Sequence, residues 1–262
     1  MKGSDILWDP TQHRIDRQSL EHFNAVIHLA GENIAARRWS EQQKLRIRKS
    51  RVAATELLAG TLAELSHPPA VLLCASAIGY YGDRGSEVLT EGSSSGRGFL
   101  PEVCMAWEAA AESARVRGIR VVHMRFGMVL SNQGGALAKM LLPFRLGLGG
   151  RIGPGTQYMS WIALSDAVRG MDHLISTDIA GPVNFVSPSP VRNSDFANTL
   201  GKVLHRPALF PLPAFAIRLA LGKMADELLL ASNRVLPKRL LDSGFQFQHP
   251  ELEGALRELM KV

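Results

Sequence analysis

Cysteine is nearly absent from this sequence, with two in 262 residues, Cys74 and Cys104. Both stand in apolar surroundings without metal-ligand spacing. A disulfide scaffold is therefore excluded, and a reducing, cytoplasmic compartment is the expectation. Long hydrophobic runs are missing too. The greasiest stretch, "LPAFAIRLALG", is interrupted by Pro213 and Arg218 and is too short to span a bilayer. The opening "MKGSDILWDP" carries no apolar segment of a secretory signal. No internal repeat occurs, and no cluster of histidines and carboxylates has metal-binding spacing, so no metal is expected. Aromatics are not interleaved with the basic residues as a nucleic-acid module requires. The expectation is a soluble protein acting on a small molecule, with neither nucleic acid nor membrane as partner. Oligomeric state stays open.

What is present suits a folded α/β chain. Hydrophobic residues make up 46% and charged residues 21%, ordinary proportions for a protein with a real core. The formal charge is +6, from 30 basic against 24 acidic residues. Much of the excess lies in "RRWSEQQKLRIRKSR", Arg37 to Arg51, with seven basic residues and one acidic. Three readings stay open for it: a solvated helix face, a site for an anionic cofactor, or a nucleic-acid patch marked by steep salt dependence.

Periodicity places the elements. "NAVIHLA", ending at Gly31, is a continuous apolar run and reads as a strand buried on both faces of a parallel sheet. "SEQQ" at Ser40 to Gln43 has the form of a capping box and opens a helix to about Leu65. Leu58, Leu62 and Leu65 give that helix a buried stripe, while Lys44, Arg48 and Arg51 share another. "HPPAVLLCAS" begins a second buried strand, and "GSEVLTEGSSSGRG" reads as a loop. A helix follows from about Pro101 to Arg117, then a third strand in "GIRVVHMRFGMVL". Beyond "LLPFRLGLGGRIGPG", a helix that decays into a glycine-rich loop, come a short strand, a helix begun at Ser165, "GPVNFVSPSP", and a capped helix at "NSDFANTL". The last stretch is mostly helical with proline punctuation. Strands alternating with helices predict a doubly wound parallel sheet with a small helical C-terminal subdomain. The expected division is residues 1–175 and 176–262, interleaved.

Seven segments in order carry a more specific likeness: "LAGENIAARRW", "SRVAAT", "SAIGYYGDRG", "WEAAAE", "LLPFRLGLGGRIGPG", "MSWIALSD" and "RVLPKRLLDSGFQF". Together the chain from about Ile6 onward resembles the atypical "epimerase family protein" branch of the extended short-chain dehydrogenase/reductases. That resemblance implies a Rossmann-like fold with an NADP(H)-type dinucleotide across the carboxyl ends of the strands. It implies Leu29, Ala30 and Gly31 beside the cofactor, Arg51 offering a planar fork to a phosphate, and Val129 lining the nicotinamide end. The bland alternatives are core packing for Leu29 and Val129 and a surface arginine for Arg51.

Two departures from the family pattern stand out. The family opens with a strand, a glycine-rich phosphate turn, a helix and a second strand. Here no glycine-rich turn precedes Gly31, and Gly3 is the only earlier glycine. The expectation is an N-terminally shortened form lacking its first βαβ elements, the alternative a genuine variant that closes its sheet differently, and in either case dinucleotide binding is expected to be weak or absent. The second departure is catalytic. Active relatives pair a serine with Tyr-x-x-x-Lys, where lysine lowers the tyrosine pKa. The matching positions here are Cys104 and Glu108. A carboxylate beside a thiol raises the thiol pKa, so Cys104 reads as a buried small residue.

Ser76 therefore stands without its usual partners, able to hydrogen-bond a substrate carbonyl or the nicotinamide amide. Tyr80 or Tyr81 could serve as an improvised acid. Alternatively Tyr81 and Gly82 only form the turn and Tyr80 packs beneath it. His28, inside an apolar strand, reads as a satisfied core histidine. The catalytic candidates are thus Ser76 and Tyr80. The expected function is NADP(H)-dependent redox or epimerase-type chemistry on a small substrate. The alternative is a non-catalytic regulator or partner-binding protein, connected to cell division.

Overall fold

The computed structural model describes residues 6–261, so the expected domain limits at 1 and 262 lie outside the described residues. A small antiparallel hairpin, β1 (Trp8–Asp9) and β2 (Arg14–Ile15), leads into β3 (Ala25–His28), helix α1 (Glu41–Ala63) and β4 (Val71–Ala77). Next come β5 (Val88–Leu89), α2 (Phe99–Ala109), α3 (Glu112–Val116), β6 (Arg120–Phe126) and β7 (Met128–Leu130). Then follow α4 (Gly135–Arg145), β8 (Tyr158–Met159), β9 (Trp161–Ala163), α5 (Leu164–Ile175) and β10 (Gly181–Phe185). The chain continues with β11 (Val191–Arg192), α6 (Asn193–Val203), α7 (Ala214–Leu221), α8 (Lys223–Ala225) and a π turn at Asp226–Leu230. It finishes with β12 (Arg234–Val235), α9 (Lys238–Asp242) and α10 (Leu252–Met260).

The central sheet has four parallel strands in the order β10-β6-β4-β3. On one face, Leu72, Cys74 and Val121 pack against Leu58, Ala59, Leu62 and Leu65 of the α1 region and Ala114 of α3. On the other, Leu73, Val122, Met124, Val183 and Phe185 meet Ala167 and Leu174 of α5 and Leu240 of α9. Helices thus cover both sides of a parallel sheet, the doubly wound arrangement, with a largely helical C-terminal part.

The sequence dictates these elements locally. The Ser40 side chain accepts from the Gln43 amide and opens α1, and the Leu58, Leu62, Leu65 stripe is buried as its spacing required. Each such leucine contributes roughly 2 kcal/mol of transfer free energy. β4 is buried for six of its seven residues, the signature of a strand covered on both faces.

Other expectations need correction. β3 is the last strand of the sheet, not an internal one, and Ile27 is 42% exposed. Val26 packs toward the α1 face, but no element covers Ile27 on the opposite face among the described residues. The expected single helix to Arg117 is two, α2 and α3, with a break at Ala110 and Ala111. The loop "GSEVLTEGSSSGRG" contains β5, which pairs in parallel with β12. That pairing spans nearly 150 residues, so no local pattern could announce it.

His28 is buried, as expected of a core residue, but it is not satisfied. Its Nε2 has no hydrogen-bond partner, and its ring meets Trp8 edge-on. Burial lowers the His28 pKa, and burial likewise lowers that of His123, whose Nδ1 is also without a partner. Both imidazoles stay neutral in the fold, while the unfolded chain takes up these protons below about pH 6.5. Stability is therefore fully present above that pH and is lost as pH falls through it. Unfolding free energies from urea titrations between about pH 7 and about pH 5.5 should fall by at most ~1.4 kcal/mol per pH unit for each histidine. His28→Leu should remove about half of that slope, and an unchanged slope would contradict the assignment.

Candidate functional site

The carboxyl ends of β4 and β6 place Ser76 directly opposite Arg125 in register. Both side chains face α2, where Glu108 reaches down to them. Ser76 Oγ donates to Glu108 Oε1 at 2.7 Å. Arg125 donates to the same carboxylate twice, Nε to Oε1 and Nη2 to Oε2, both at 2.8 Å. The Arg125 side chain is 3% exposed and that of Glu108 13%, so this is a bidentate ion pair almost out of water.

The network continues beyond the pair. Arg125 Nη1 donates to the Tyr81 hydroxyl at 3.0 Å, and that hydroxyl donates to Asn184 Oδ1 at 2.7 Å. Asn184 in β10 in turn donates its backbone N–H to Glu91 Oε1 and its side-chain amide to the Leu236 carbonyl. Glu91 Oε1 also accepts from the Arg239 amide, while its Oε2 has no partner. One polar thread thus runs from Ser76 to the C-terminal segment.

The two adjacent tyrosines take different places, with Tyr81 in the turn before Gly82 and Tyr80 not packed wholly beneath it. Tyr81 is the fully buried one, bonded at its hydroxyl, whereas Tyr80 is half-buried with its ring 3.5 Å from the Arg125 guanidinium carbon. A short 3-10 turn, Ile78–Tyr81, causes this, followed by Gly82 at φ 64°. The turn is pinned from outside. Gly96 N–H donates to the Tyr80 carbonyl at 2.9 Å, and a Cβ at Gly96 would overlap the Tyr81 carbonyl oxygen.

Electrostatics works against two of the acid–base candidates. Burial, with Glu108 adding to it, pushes the Cys104 thiol up to about 12, so Cys104 is an inert small residue as its sequence context indicated. Burial also raises the Tyr81 phenol despite the opposing pull of Arg125. For Arg125, burial opposes its charge, but the bonds to Glu108 outweigh it and hold the guanidinium above its ordinary range.

The residues expected beside a cofactor gather at the β3 end. Leu29, Ala30 and Gly31 follow the strand and are exposed. Arg51 is half-buried on α1. Its Nη1 donates to the Glu32 carbonyl at 3.0 Å and the Ile47 carbonyl at 3.2 Å, and its guanidinium stands 5.0 Å from the Trp107 ring. A Cβ at Gly31 would come within 3.3 Å of Arg51 Cζ, so a side chain there would press on the guanidinium. Leu29 to Gly31 and Arg51 thus stand together at the carboxyl end of β3, and among the described residues the Arg51 guanidinium makes its hydrogen bonds through Nη1 alone. No glycine turn for a pyrophosphate precedes Gly31 among the described residues. Val129 lies apart from this group, half-buried in β7 opposite Ile162.

Sequence reasoning missed Arg125, Asn184 and Glu91, and it saw Glu108 only as a neighbour of Cys104. A usable signal existed for one of them. A lone arginine inside "VVHMRFG" must be paired if the strand is buried. Asn184 and Glu91 sit 103 and 93 residues from the groups they bond, beyond any local pattern.

Comparison with known proteins matches this arrangement to a group. A family model described as a domain of unknown function (DUF1731) fits residues 212–259. Epimerase family protein Mb2239 of Mycobacterium bovis is 43% identical over 255 residues, covering 97% of this chain and 84% of its own length. Human epimerase family protein SDR39U1 is 37% identical, with 97% and 87% covered. The crystal structure of human SDR39U1 (isoform 2) with NADPH superposes with a TM-score of 0.87 at 36% identity, covering 92% of this chain and 83% of that one. Thermotoga maritima UDP-glucose 4-epimerase with UDP-glucose, at 16% identity, has a TM-score of 0.76 over 97% of this chain and 82% of its own, a likeness of fold.

The ion pair at the centre of the site makes a sharp prediction for stability. Arg125→Met leaves Glu108 buried without its partner and should cost about 3–5 kcal/mol by chemical denaturation. Arg125→Met combined with Glu108→Leu should recover more than half of that loss. A double variant as unstable as the single one would refute the pairing as the source.

Proposed function

The chain belongs to the epimerase family, and from that premise we propose that it is an NADP(H)-binding oxidoreductase or epimerase-like protein acting on a small substrate. The observation that carries the reading is the fixed Ser76 hydroxyl at the carboxyl end of β4, where doubly wound sheets bind their ligands. Human SDR39U1, similar over most of the chain, has a structure with NADPH, which supports the choice of cofactor. When bound, such a cofactor supplies or accepts the hydride.

The chain's own residues then have defined tasks. Because Ser76 gives its proton to Glu108, its oxygen meets a ligand as an acceptor, so the group beside it must bring a donor. A substrate hydroxyl or a carboxamide NH2 qualifies, whereas a bare carbonyl does not. Arg125 holds Glu108 in place, and Glu108 orients Ser76. Tyr80 is the phenol left at the opening, since Tyr81 is sealed beneath it. Leu29 to Gly31 would lie beside the cofactor, and Arg51 would offer the free edge of its fork to one of its phosphates.

One observation favours a second reading, a dinucleotide-fold regulator or partner-binding protein without turnover. Cys104 and Tyr81 both keep their protons well above neutral pH, so neither supplies the acid–base function that Tyr-x-x-x-Lys provides elsewhere.

Calorimetric titration of the 262-residue chain with NADPH and NADH, beside human SDR39U1, tests the proposal. This chain should bind NADPH at least about tenfold more weakly, the worth of roughly one lost charge-assisted hydrogen bond to the pyrophosphate. Gly31→Val should abolish what binding remains, because its side chain fills the space against Arg51. Equal affinity for the two proteins would show that a pyrophosphate site exists elsewhere in the chain. No heat from this chain, nor from a form of it extended upstream, at millimolar-range dinucleotide would sink the enzyme reading and leave the regulator.

A further inference from the structure

Two segments of the chain hold eight large apolar residues that are each at least half exposed. Leu142, Leu146 and Leu148 lie on α4 and the loop after it. Leu209, Phe210, Leu212, Phe215 and Leu219 lie on the approach to α7 and on α7 itself. The segments are laced together. Phe210 N–H donates to the Gly149 carbonyl, Leu212 N–H to Arg151, Gly153 N–H back to Leu212, and Arg206 Nε to the Arg145 carbonyl. These bonds set the loop after α4 beside the approach to α7. α7 turns Ile217 inward and packs Leu221 against the cluster of Trp39 and Leu100, while Phe215 and Leu219, one turn apart, stand 73% and 78% exposed. An apolar surface of this extent on a soluble chain marks a docking surface.

Its charge is predominantly basic, with exposed Asp195 and the ion-paired Asp226 at the margins of these segments. Residues 135–165 and 196–225 contain no aspartate or glutamate but carry Lys139, Arg145, Arg151, Lys202, Arg206, Arg218 and Lys223. Lys202 and Arg218 pair with Glu253 and Asp226 from outside these segments. The other five meet no carboxylate within ion-pair distance among the described residues. Arg38 adds a cation at the end of α7, its Nε 3.2 Å from where a Gly222 Cβ would stand. A pocket of about 270 Å³, lined by Arg151, Ser194, Asn198, Leu209 and Pro211, opens within the same surface.

We propose that this surface docks on an anionic lipid bilayer, with the leucines and phenylalanines between the headgroups and the lysines and arginines against the phosphates. A second copy of the chain using the same surface would set cations against cations. Of the eight exposed apolar residues only Leu209 lines the pocket, so a peptide seated there would leave the others uncovered. An exposed apolar face flanked by basic residues is the arrangement that rests in a membrane interface. The same segment is too short and too interrupted to span, and no described helix is long and apolar enough to cross a membrane. Lying on the surface needs neither length nor continuity.

Cosedimentation of the 262-residue chain with vesicles tests this without reference to NADPH or turnover. The chain should pellet with phosphatidylcholine–phosphatidylglycerol vesicles at least about tenfold more strongly than with phosphatidylcholine alone, and less in high salt. Phe215→Ser with Leu219→Ser, both at exposed positions, should fold normally by circular dichroism and lose most of the binding. Phe215→Trp should show a blue-shifted emission only with the anionic vesicles. The proposal is overturned if the chain stays in the supernatant with both vesicles, or if the serine variant pellets like the parent. It is also overturned if sedimentation shows a dimer, or a complex with an oligonucleotide, that the serine variant abolishes.

Discussion

Everything at the carboxyl end of the sheet depends on one buried ion pair, Glu108 with Arg125. Taking both charges out of water is costly, and only a bidentate geometry with the remaining lone pairs satisfied offsets it. The surrounding residues supply that satisfaction. Ser76 donates to the carboxylate, the Tyr81 hydroxyl accepts from the guanidinium, and the Tyr80 ring lies over its face. Remove the pair and these contacts lose their geometric reason. The arrangement also decides the chemistry open to the site, because it spends the serine proton internally.

Much of the fold was legible from pattern alone. β4 is a continuous apolar run and is buried throughout most of its length, and the Ser40 cap and its leucine stripe place α1 as read. These features are local, so a sequence states them directly. β3 shows the limit. An apolar run says that a strand is hydrophobic but not where it stands in the sheet, and here it stands at the margin. β5 escaped because its two residues gain strand geometry only from β12.

The site was half legible for a similar reason. Ser76, Tyr80 and the Leu29–Gly31 strip lie in recognisable segments. The partners that give Ser76 its character come from α2, β6 and β10. Tyr80 and Tyr81 are adjacent identical residues, and only the turn geometry says which is sealed and which faces outward. The greasy stretch around α7 was visible in the sequence, but which of its residues stay exposed follows only from the fold.

The start of α2 has no capping side chain of its own. The Glu227 carboxylate, from the π turn far along the chain, accepts from the Phe99 and Leu100 amides at 3.4 and 2.8 Å. A helix normally carries its N-terminal acceptor within its own few residues. Here the helix bearing Glu108 borrows one from the C-terminal part, so its first turn cannot open and close independently of that part. In hydrogen exchange, the Phe99 and Leu100 amides would be released by undocking of the 223–230 segment rather than by fraying of α2. Local motion at one end of the C-terminal part thus becomes a change in the order of the helix that holds the serine.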